Sequence, residues 1–295
     1  MRNRENGVCM ISKVYKVNAF IKTPEGGNTA GIVINADFLS EDEMQKIAAK
    51  VGFSETAFVL KSDCADYRLR FFTPVEEVEL CGHATIATAS TLAKLGIIKP
   101  GSYRQETKAG VLGIDIQNDF VVMEQPAPVF SDIVDACKIS DSLNIEETQF
   151  IKNFPIQVVS TGLRDIIIPV NSIHTLHSIS PNFDKIKNIS RKYNVVGFHV
   201  FAIEDGNNIF CRNFAPLYDI PEEAATGTSN GALGCYLYQY GLINEQQAKR
   251  IFINQGDRMN KPSEILVSLS LQNNEITKVK VGGRTSDFIV IDIDI

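Results

Sequence analysis

Along most of the chain, apolar residues recur at every second position in short runs, the periodicity of half-buried strands. Residues 14–20 set Tyr15, Val17 and Ala19 on one face and Lys16 and Asn18 on the other. A turn at Gly26-Gly27-Asn28 leads into a short buried strand over 31–34, and further strands follow over 53–60 and 66–72. A hairpin over 111–116 and 120–124 has Asn118-Asp119 at its turn. After Pro126-Ala127-Pro128 the plan restarts, with strands near 156–160, 166–170, 195–203 and 209–214. The tail holds strand-like runs over 265–271, 276–281 and 288–293. The period changes to that of a helix at two places. Ser40-Glu41-Asp42-Glu43 is a capping box opening a helix whose apolar face is Met44, Ile47, Ala48 and Val51 and whose stop is Gly52. A second amphipathic helix covers 183–193.

Two stretches fit neither pattern. From Ala84 to Ala93 there is no charged residue, and a segment that is small or apolar on every face belongs inside a core. Residues 81–96 therefore read as a buried helix, entered at Gly82, where backbone or ligand approaches closely, and ended by Gly96 in the left-handed region. Residues 226–241 repeat it: Gly227 and Gly241 are spaced as Gly82 and Gly96, and Ala232 and Leu237 fall in register with Ala87 and Leu92. Upstream, Arg70-Phe71-Phe72-Thr73-Pro74 matches Arg212-Asn213-Phe214-Ala215-Pro216. Each leads through an acidic loop, with Glu76, Glu77 and Glu79 or Asp219, Glu222 and Glu223, into its glycine. This is an internal duplication. It places two helix N-termini at related positions, and a first turn that opens into a cleft offers free N–H groups and a positive dipole end to a carboxylate or oxyanion.

The length of 295 residues allows one large domain or two ordinary ones, and the repeat favours two. The boundary falls at the proline segment, giving 1–128 and 129–295, with the last strand returning to the first half. Residues 1–10 are polar and lack an apolar h-region, so they read as an extension without regular structure, or the working start is Met10. Apolar content of 44% and charged content of 22%, with no long apolar run, are those of a soluble globular chain with no membrane segment. A net charge of −6 without a basic cluster argues against nucleic acid as a partner. Cys9, Cys64, Cys81, Cys137, Cys211 and Cys235 show no CxxC or CxxH spacing, so neither a zinc site nor a disulfide framework is indicated. Reduced thiols and a cytoplasmic location follow.

Glu55 interrupts an apolar strand. It is either a solvated carboxylate on an edge strand or a partly buried carboxyl whose pKa is raised enough to shuttle a proton near neutral pH. His83, one of 4 histidines, follows the glycine that opens the buried helix, either as a simple first-turn polar residue or as a catalytic one. Glu222 and Glu223 precede the second helix, where charge–dipole complementarity alone explains them. Thr228 has a hydroxyl suited to a first-turn hydrogen bond, to substrate or to backbone. Cys81 stands at a helix N-terminus, a place that lowers a thiol's pKa, although buried cysteines are commonly inert packing.

These residues carry a resemblance. Residues 26–33 (Gly-Gly-Asn-Thr-Ala-Gly-Ile-Val), Ser54-Glu55-Thr56-Ala57-Phe58, Phe72-Thr73-Pro74, residues 80–85 (Leu-Cys-Gly-His-Ala-Thr) and residues 221–228 (Pro-Glu-Glu-Ala-Ala-Thr-Gly-Thr) are similar to the landmarks of the phenazine-biosynthesis PhzF-like family. They come in family order and cover nearly the whole chain from Met10 on. The resemblance implies an α+β, diaminopimelate-epimerase-like fold: two pseudo-symmetric halves, each a curved, mostly antiparallel sheet around a central helix, with the active site in the cleft between them. It also implies a cofactor-independent isomerase with no metal; the best-known member isomerises dihydro-hydroxyanthranilate by a 1,5-hydrogen shift. Carried over by position, Glu55 is the general acid/base, and His83 and Glu223 bind and polarise a small carboxylate substrate. The amides of Gly82 and Gly227 hold its carboxylate, with Thr228 and Cys81 beside them; whether Glu222 or Glu223 faces the cleft stays open. A homodimer is the commonest assembly for a protein of this kind.

Departures from the family pattern bear on the substrate. The usual Asp-Pro-Ala-Thr-Gly-Ser reads here Glu-Ala-Ala-Thr-Gly-Thr over 223–228, and the usual first-strand aspartate is Asn18. A pocket changed by a methylene and a methyl suits a different substrate for the same chemistry. The fold's two-base racemases and epimerases resemble this chain at the same helix starts but place a cysteine at each, where this chain has Cys81 and Thr226. A two-thiol mechanism is therefore closed to it. The alternatives are a one-thiol dehydratase or epimerase using Cys81, and a small-carboxylate binding protein that has lost turnover.

Overall fold

The computed structural model describes residues 11–117, 120–204 and 208–294; the 1–10 extension and the Asn118-Asp119 turn lie outside them. Strands and buried helices assemble twice in the same order. The first set is β1 (Ile11–Ala19), β2 (Asn28–Val33), α1 (Glu41–Val51), β3 (Glu55–Leu60), β4 (Tyr67–Phe72), β5 (Glu77–Val78), α2 (Gly82–Lys94), β6 (Gly101–Thr107), β7 (Gly110–Gln117) and β8 (Phe120–Gln125). The chain continues through β9 (Val129–Ile133) and α3 (Ala136–Leu143). The second set is β10 (Gln157–Ser160), β11 (Arg164–Pro169), α4 (Ile173–Ser178), α5 (Phe183–Tyr193), β12 (Gly197–Glu204), β13 (Asn208–Ala215), β14 (Ile220–Glu223), α6 (Gly227–Gln239), α7 (Glu245–Ala248), β15 (Ile251–Gln255), β16 (Ser263–Gln272) and β17 (Glu275–Arg284), with β18 (Ile289–Asp294) closing the chain.

The pairings repeat one for one. β1–β2 is antiparallel, β2–β3 parallel, β3–β4 and β4–β5 antiparallel, β4–β6 parallel, and β6–β7 and β7–β8 antiparallel. The same sequence of pairings runs through β10–β11, β11–β12, β12–β13, β13–β14, β13–β15, β15–β16 and β16–β17. Each parallel pair needs a crossover, and the one from β4 to β6 or from β13 to β15 contains the buried helix. The sets are joined by β8 against β17; β18 pairs with β1, and β9 occupies the same place against β10.

Both central helices are enclosed as their composition requires: α2 is buried from His83 to Leu92 and α6 from Gly227 to Leu237. A single apolar cluster runs through both, from Ala84, Ile86 and Ala87 to Ala232, Leu233 and Leu237. Amphipathic helices cover the outer sheet faces: α1 sets Met44, Ile47 and Ala48 against Phe58 and Phe72, and α5 sets Ile186 into a cluster with Ile166 and Phe198. The Ser40–Glu43 capping box is formed, and Gly52, Gly96 and Gly241 take left-handed φ of 68°, 72° and 68°. Phe20, fully buried, also has a positive φ of 62°, a strain of about 1–2 kcal/mol for a bulky residue. Its ring lies against the α6 entrance, where a Cβ on Gly227 would sit 3.2 Å from Phe20 Cζ.

The two acidic segments are not plain loops, as the sequence suggests, but contain short strands, because each supplies a carboxylate to the arginine of the strand beside it. Arg70 Nε and Nη2 donate to Glu77 Oε1 and Oε2, both at 2.7 Å, and Arg212 Nε and Nη2 donate to Glu222 Oε1 and Oε2, both at 2.9 Å. Each guanidinium also lies over a phenylalanine, Arg70 at 5.1 Å from the Phe72 centroid and Arg212 at 4.8 Å from that of Phe214. Glu222 is thereby committed to Arg212, leaving Glu223 for the helix entrance. Among the described residues Arg212 otherwise hydrogen-bonds the carbonyls of Leu176 and Ile179, whereas Arg70 also has the carboxylate of Glu41. Glu222→Ala is expected to lower unfolding free energy by about 3 kcal/mol, the scale for stranding one member of a buried pair, and Glu77→Ala by clearly less. Urea unfolding of the two variants checks this, and equal losses would refute the distinction.

Candidate active site

The two helices enter the core head to head. A Cβ on Gly82 would lie 3.8 Å from Gly227 Cα, so the first turns of α2 and α6 abut with their free N–H groups in one place. Glu55 is the first residue of β3, and the β2–β3 register sets it opposite Ala30. The side chains that sequence reasoning singled out then converge. His83 Nε2 is 3.2 Å from Glu55 Oε2, His83 Nδ1 is 3.4 Å from Cys81 Sγ, and His83 Nδ1 is 3.7 Å from Glu223 Oε1. The Thr228 carbonyl accepts from the Thr161 hydroxyl at 3.1 Å, and no bond among the described residues engages the Thr228 hydroxyl itself.

Residues to which the sequence reading gave no place in the site surround these side chains. Asn28 Nδ2 donates to Glu223 Oε1 at 2.7 Å and to the Ala225 carbonyl at 3.2 Å, and lies 3.3 Å from His83 Nδ1. Asn18 accepts from the Thr29 hydroxyl at 2.7 Å and donates to the Gly26 carbonyl at 3.1 Å, fixing the turn that presents Asn28. Ser54 Oγ is 3.3 Å from His83 Nε2, and the Thr226 hydroxyl donates to Glu223 Oε2 at 2.5 Å. The signal available was the Gly-Gly-Asn turn, since Asn beside glycines supplies a polar group at a sharp chain reversal. A third acid, Asp165 on β11, is 1% exposed, accepts from Ser229 Oγ at 2.6 Å, and is pushed by burial up to about 6.

Two electrostatic expectations need correction. Burial alone drives the Glu55 carboxyl up, but the His83 charge and hydrogen bonds from His83, Ser54 and Cys81 more than offset it, so Glu55 sits below its ordinary value instead of above. Burial likewise drives the His83 imidazole down, and the neighbouring Cys81 and Glu55 reverse it to well above 6.5. The raised carboxyl is Glu223, pushed to about 7 by burial, with the Glu55 charge adding to it and His83 and the Thr226 hydroxyl opposing. Cys81 is not lowered by its helix terminus: burial and the Glu55 charge lift its thiol to about 11, and His83 only moderates this. The arrangement is thus one ionised carboxylate, one imidazolium and one carboxyl poised near neutrality, the separation that distinguishes a base from an acid. Among the described residues, Glu55, Cys81 and His83 also offer three ligand atoms within 4.8 Å of one another. A metal held there would occupy the lone pairs that proton transfer needs.

Comparison with known proteins places this geometry. A family model described as phenazine biosynthesis-like protein matches residues 17–289. A protein of Clostridium acetobutylicum named as an uncharacterized isomerase is 35% identical over 284 residues, 92% of this chain and 94% of its own. The trans-2,3-dihydro-3-hydroxyanthranilate isomerase of Pseudomonas chlororaphis is 31% identical over 284 residues, 92% of this chain and 95% of its own. The crystal structure of a PhzF-family phenazine biosynthesis protein from Bacillus anthracis superposes with a TM-score of 0.87 at 29% identity, over 97% of this chain and 100% of that one. The α+β fold is that of the PhzF and diaminopimelate-epimerase-like proteins.

The thiol shifts generate a test of Cys81 chemistry. At pH 7 iodoacetamide should alkylate the exposed Cys64 and Cys137 and spare the buried Cys81, as mass spectrometry of the digest would report. Labelling of Cys81 as fast as Cys64 would mean a thiolate stands beside His83.

Proposed function

The chain belongs to the phenazine biosynthesis-like protein family, and on that premise we propose that it is a cofactor-independent isomerase that moves a proton on a small carboxylate substrate. One observation carries the reading: Glu55 and Glu223 flank a single buried histidine at the meeting point of two helix N-termini, with their acidities displaced in opposite directions. The substrate carboxylate is held by the first-turn amides at Gly82 and Gly227, helped by the free Thr228 hydroxyl and the His83 cation. Glu55, ionised, takes the proton from one carbon and returns it to another. Glu223 holds a proton near neutral pH and donates a hydrogen bond where charge develops. A positioned acid/base group of this kind contributes about 10²–10⁴-fold, and preorganised donors a comparable factor.

The relatives' names support an isomerase, and that of the Pseudomonas enzyme supplies the first substrate to try. Glu223 and Thr228 shape the pocket around that substrate's equivalent. No helix among the described residues is long and apolar enough to cross a membrane, and the described cysteines are unpaired. A cytoplasmic homodimer is part of the same reading. The one-thiol alternative is disfavoured by the raised Cys81 thiol.

Proton NMR in D₂O tests the proposal, with trans-2,3-dihydro-3-hydroxyanthranilate and a panel of cyclic and amino carboxylates. A carbon-bound proton should exchange or migrate with wild type, and Glu55→Gln should slow it by about 10²–10⁴-fold. Undiminished exchange in that variant would remove Glu55 from the role and return attention to Cys81. The acid makes a further demand: Glu223 must keep its proton, so the rate should fall about tenfold per pH unit above about 7, and Glu223→Gln, which is neutral throughout, should lack that limb.

A further inference from the structure

Gln255, the last residue of β15, is 1% exposed and lies under the segment that carries Glu223. Its Nε2 donates to the Glu223 carbonyl at 2.8 Å and to Thr226 Oγ1 at 3.1 Å. Its Oε1 accepts from the Thr226 N–H at 3.1 Å and from Asn230 Nδ2 at 2.7 Å. Both protons of the amide and its two shorter accepted bonds therefore go to residues 223–226 and the first turn of α6, with the Cys211 thiol also donating to Oε1 at 3.7 Å. The amide's direction is fixed as well, because a flip would set its donors against the Thr226 N–H and Asn230 Nδ2. Asn230 is itself held, donating to the Thr226 carbonyl at 2.9 Å while its Oδ1 faces His199 Nε2 at 3.3 Å and Cys211 Sγ at 3.4 Å.

Gln255 does more than brace a turn. With Nε2 occupying an acceptor position on the Thr226 hydroxyl, the hydroxyl proton is directed away, and it goes to Glu223 Oε2. The backbone here has no ring restraint, since residue 224 is alanine. We propose that Gln255 is the positioning residue of the proton-holding site: it sets the path of residues 223–226 and the direction of the Thr226 hydroxyl, and so fixes where Glu223 meets His83 and the substrate. This rests on the reading of Glu223 as the proton-holding group. Charged groups facing Glu223 come from other elements, His83 on α2, Glu55 on β3 and Asp165 on β11. Gln255 is neutral and bonds the Glu223 carbonyl and not its carboxyl, so its replacement acts on the Glu223 titration through the placement of residues 223–226 and the direction of the Thr226 hydroxyl.

The test needs no turnover. In ¹⁵N-histidine-labelled protein, with the His83 signal assigned through His83→Asn, the ring shift is followed from pH 5 to 9. Wild type should show a secondary inflection as Glu223, 3.7 Å from Nδ1, loses its proton. In Gln255→Met, similar in length but without the amide, the inflection should move by about one pH unit or more, with thermal unfolding still cooperative. Thr226→Val, which leaves Gln255 in place and removes only the directed hydroxyl, should move it in the same sense and carries the test if Gln255→Met does not fold. An inflection at the wild-type pH in both variants overturns the role of Gln255 alone. A wild-type ring without the inflection overturns the proton-holding role of Glu223, and this proposal with it.

Discussion

Everything at this site follows from two helices pointing their N-termini at each other. Each first turn leaves up to four N–H groups without a main-chain acceptor and carries about half a positive charge. A Cβ on Gly82 would lie 3.8 Å from Gly227 Cα, so the like ends come within van der Waals reach of each other in a buried place. Such an arrangement needs negative charge nearby. The chain supplies Glu55, Glu223 and Asp165 around the junction, and the remaining donors make a ready receptor for an anion.

Duplication explains how the helices come to meet, and the loss of symmetry explains the chemistry. Thr56 pairs with Phe72 as Phe198 pairs with Phe214, so Gly197 is the second-half counterpart of Glu55. A Cβ at Gly197 would fall 1.9 Å from the Phe214 carbonyl oxygen, so that half has no room for an acid at the equivalent point. Likewise His83 is answered by Thr228 and Cys81 by Thr226, whose hydroxyl is bound to Glu223. One half carries Glu55 and His83; the other carries Glu223 and the Thr228 hydroxyl.

The sequence made the repeated plan legible because it rests on local signals: uncharged helices, glycine stops at 96 and 241, the Ser40 capping box, and the Arg-x-Phe strands. Of the candidate site residues, Glu55 breaks a local pattern, an apolar strand, and could be noticed there; His83 and Glu223 fit their places at a helix start and took their roles only through the family resemblance. What stayed hidden depends on contacts distant in sequence. Asn28 reaches Glu223 across 195 positions, and Gln255 reaches back 29 to Thr226. The direction of a pKa shift is equally non-local. Burial of Glu55 could be guessed from its strand, but the charge of His83 that reverses the effect of burial comes from a helix that only the fold brings within 3.2 Å.

The charge balance of the cluster ties binding to readiness for proton transfer. With Glu55 ionised, His83 protonated, and Cys81 and Glu223 neutral, the buried group carries no net charge, the arrangement that desolvation favours. Ionising Glu223 would add an uncompensated negative charge, which is why burial and Glu55 lift it to about 7. A substrate carboxylate on the helix amides is a further like charge beside Glu223, and like charges raise a carboxyl's pKa. On the proposed reading, binding would therefore return the proton to Glu223 in the fraction of molecules that had lost it. The anion that two abutting helix ends favour would thus also be what protonates the carboxyl beside it.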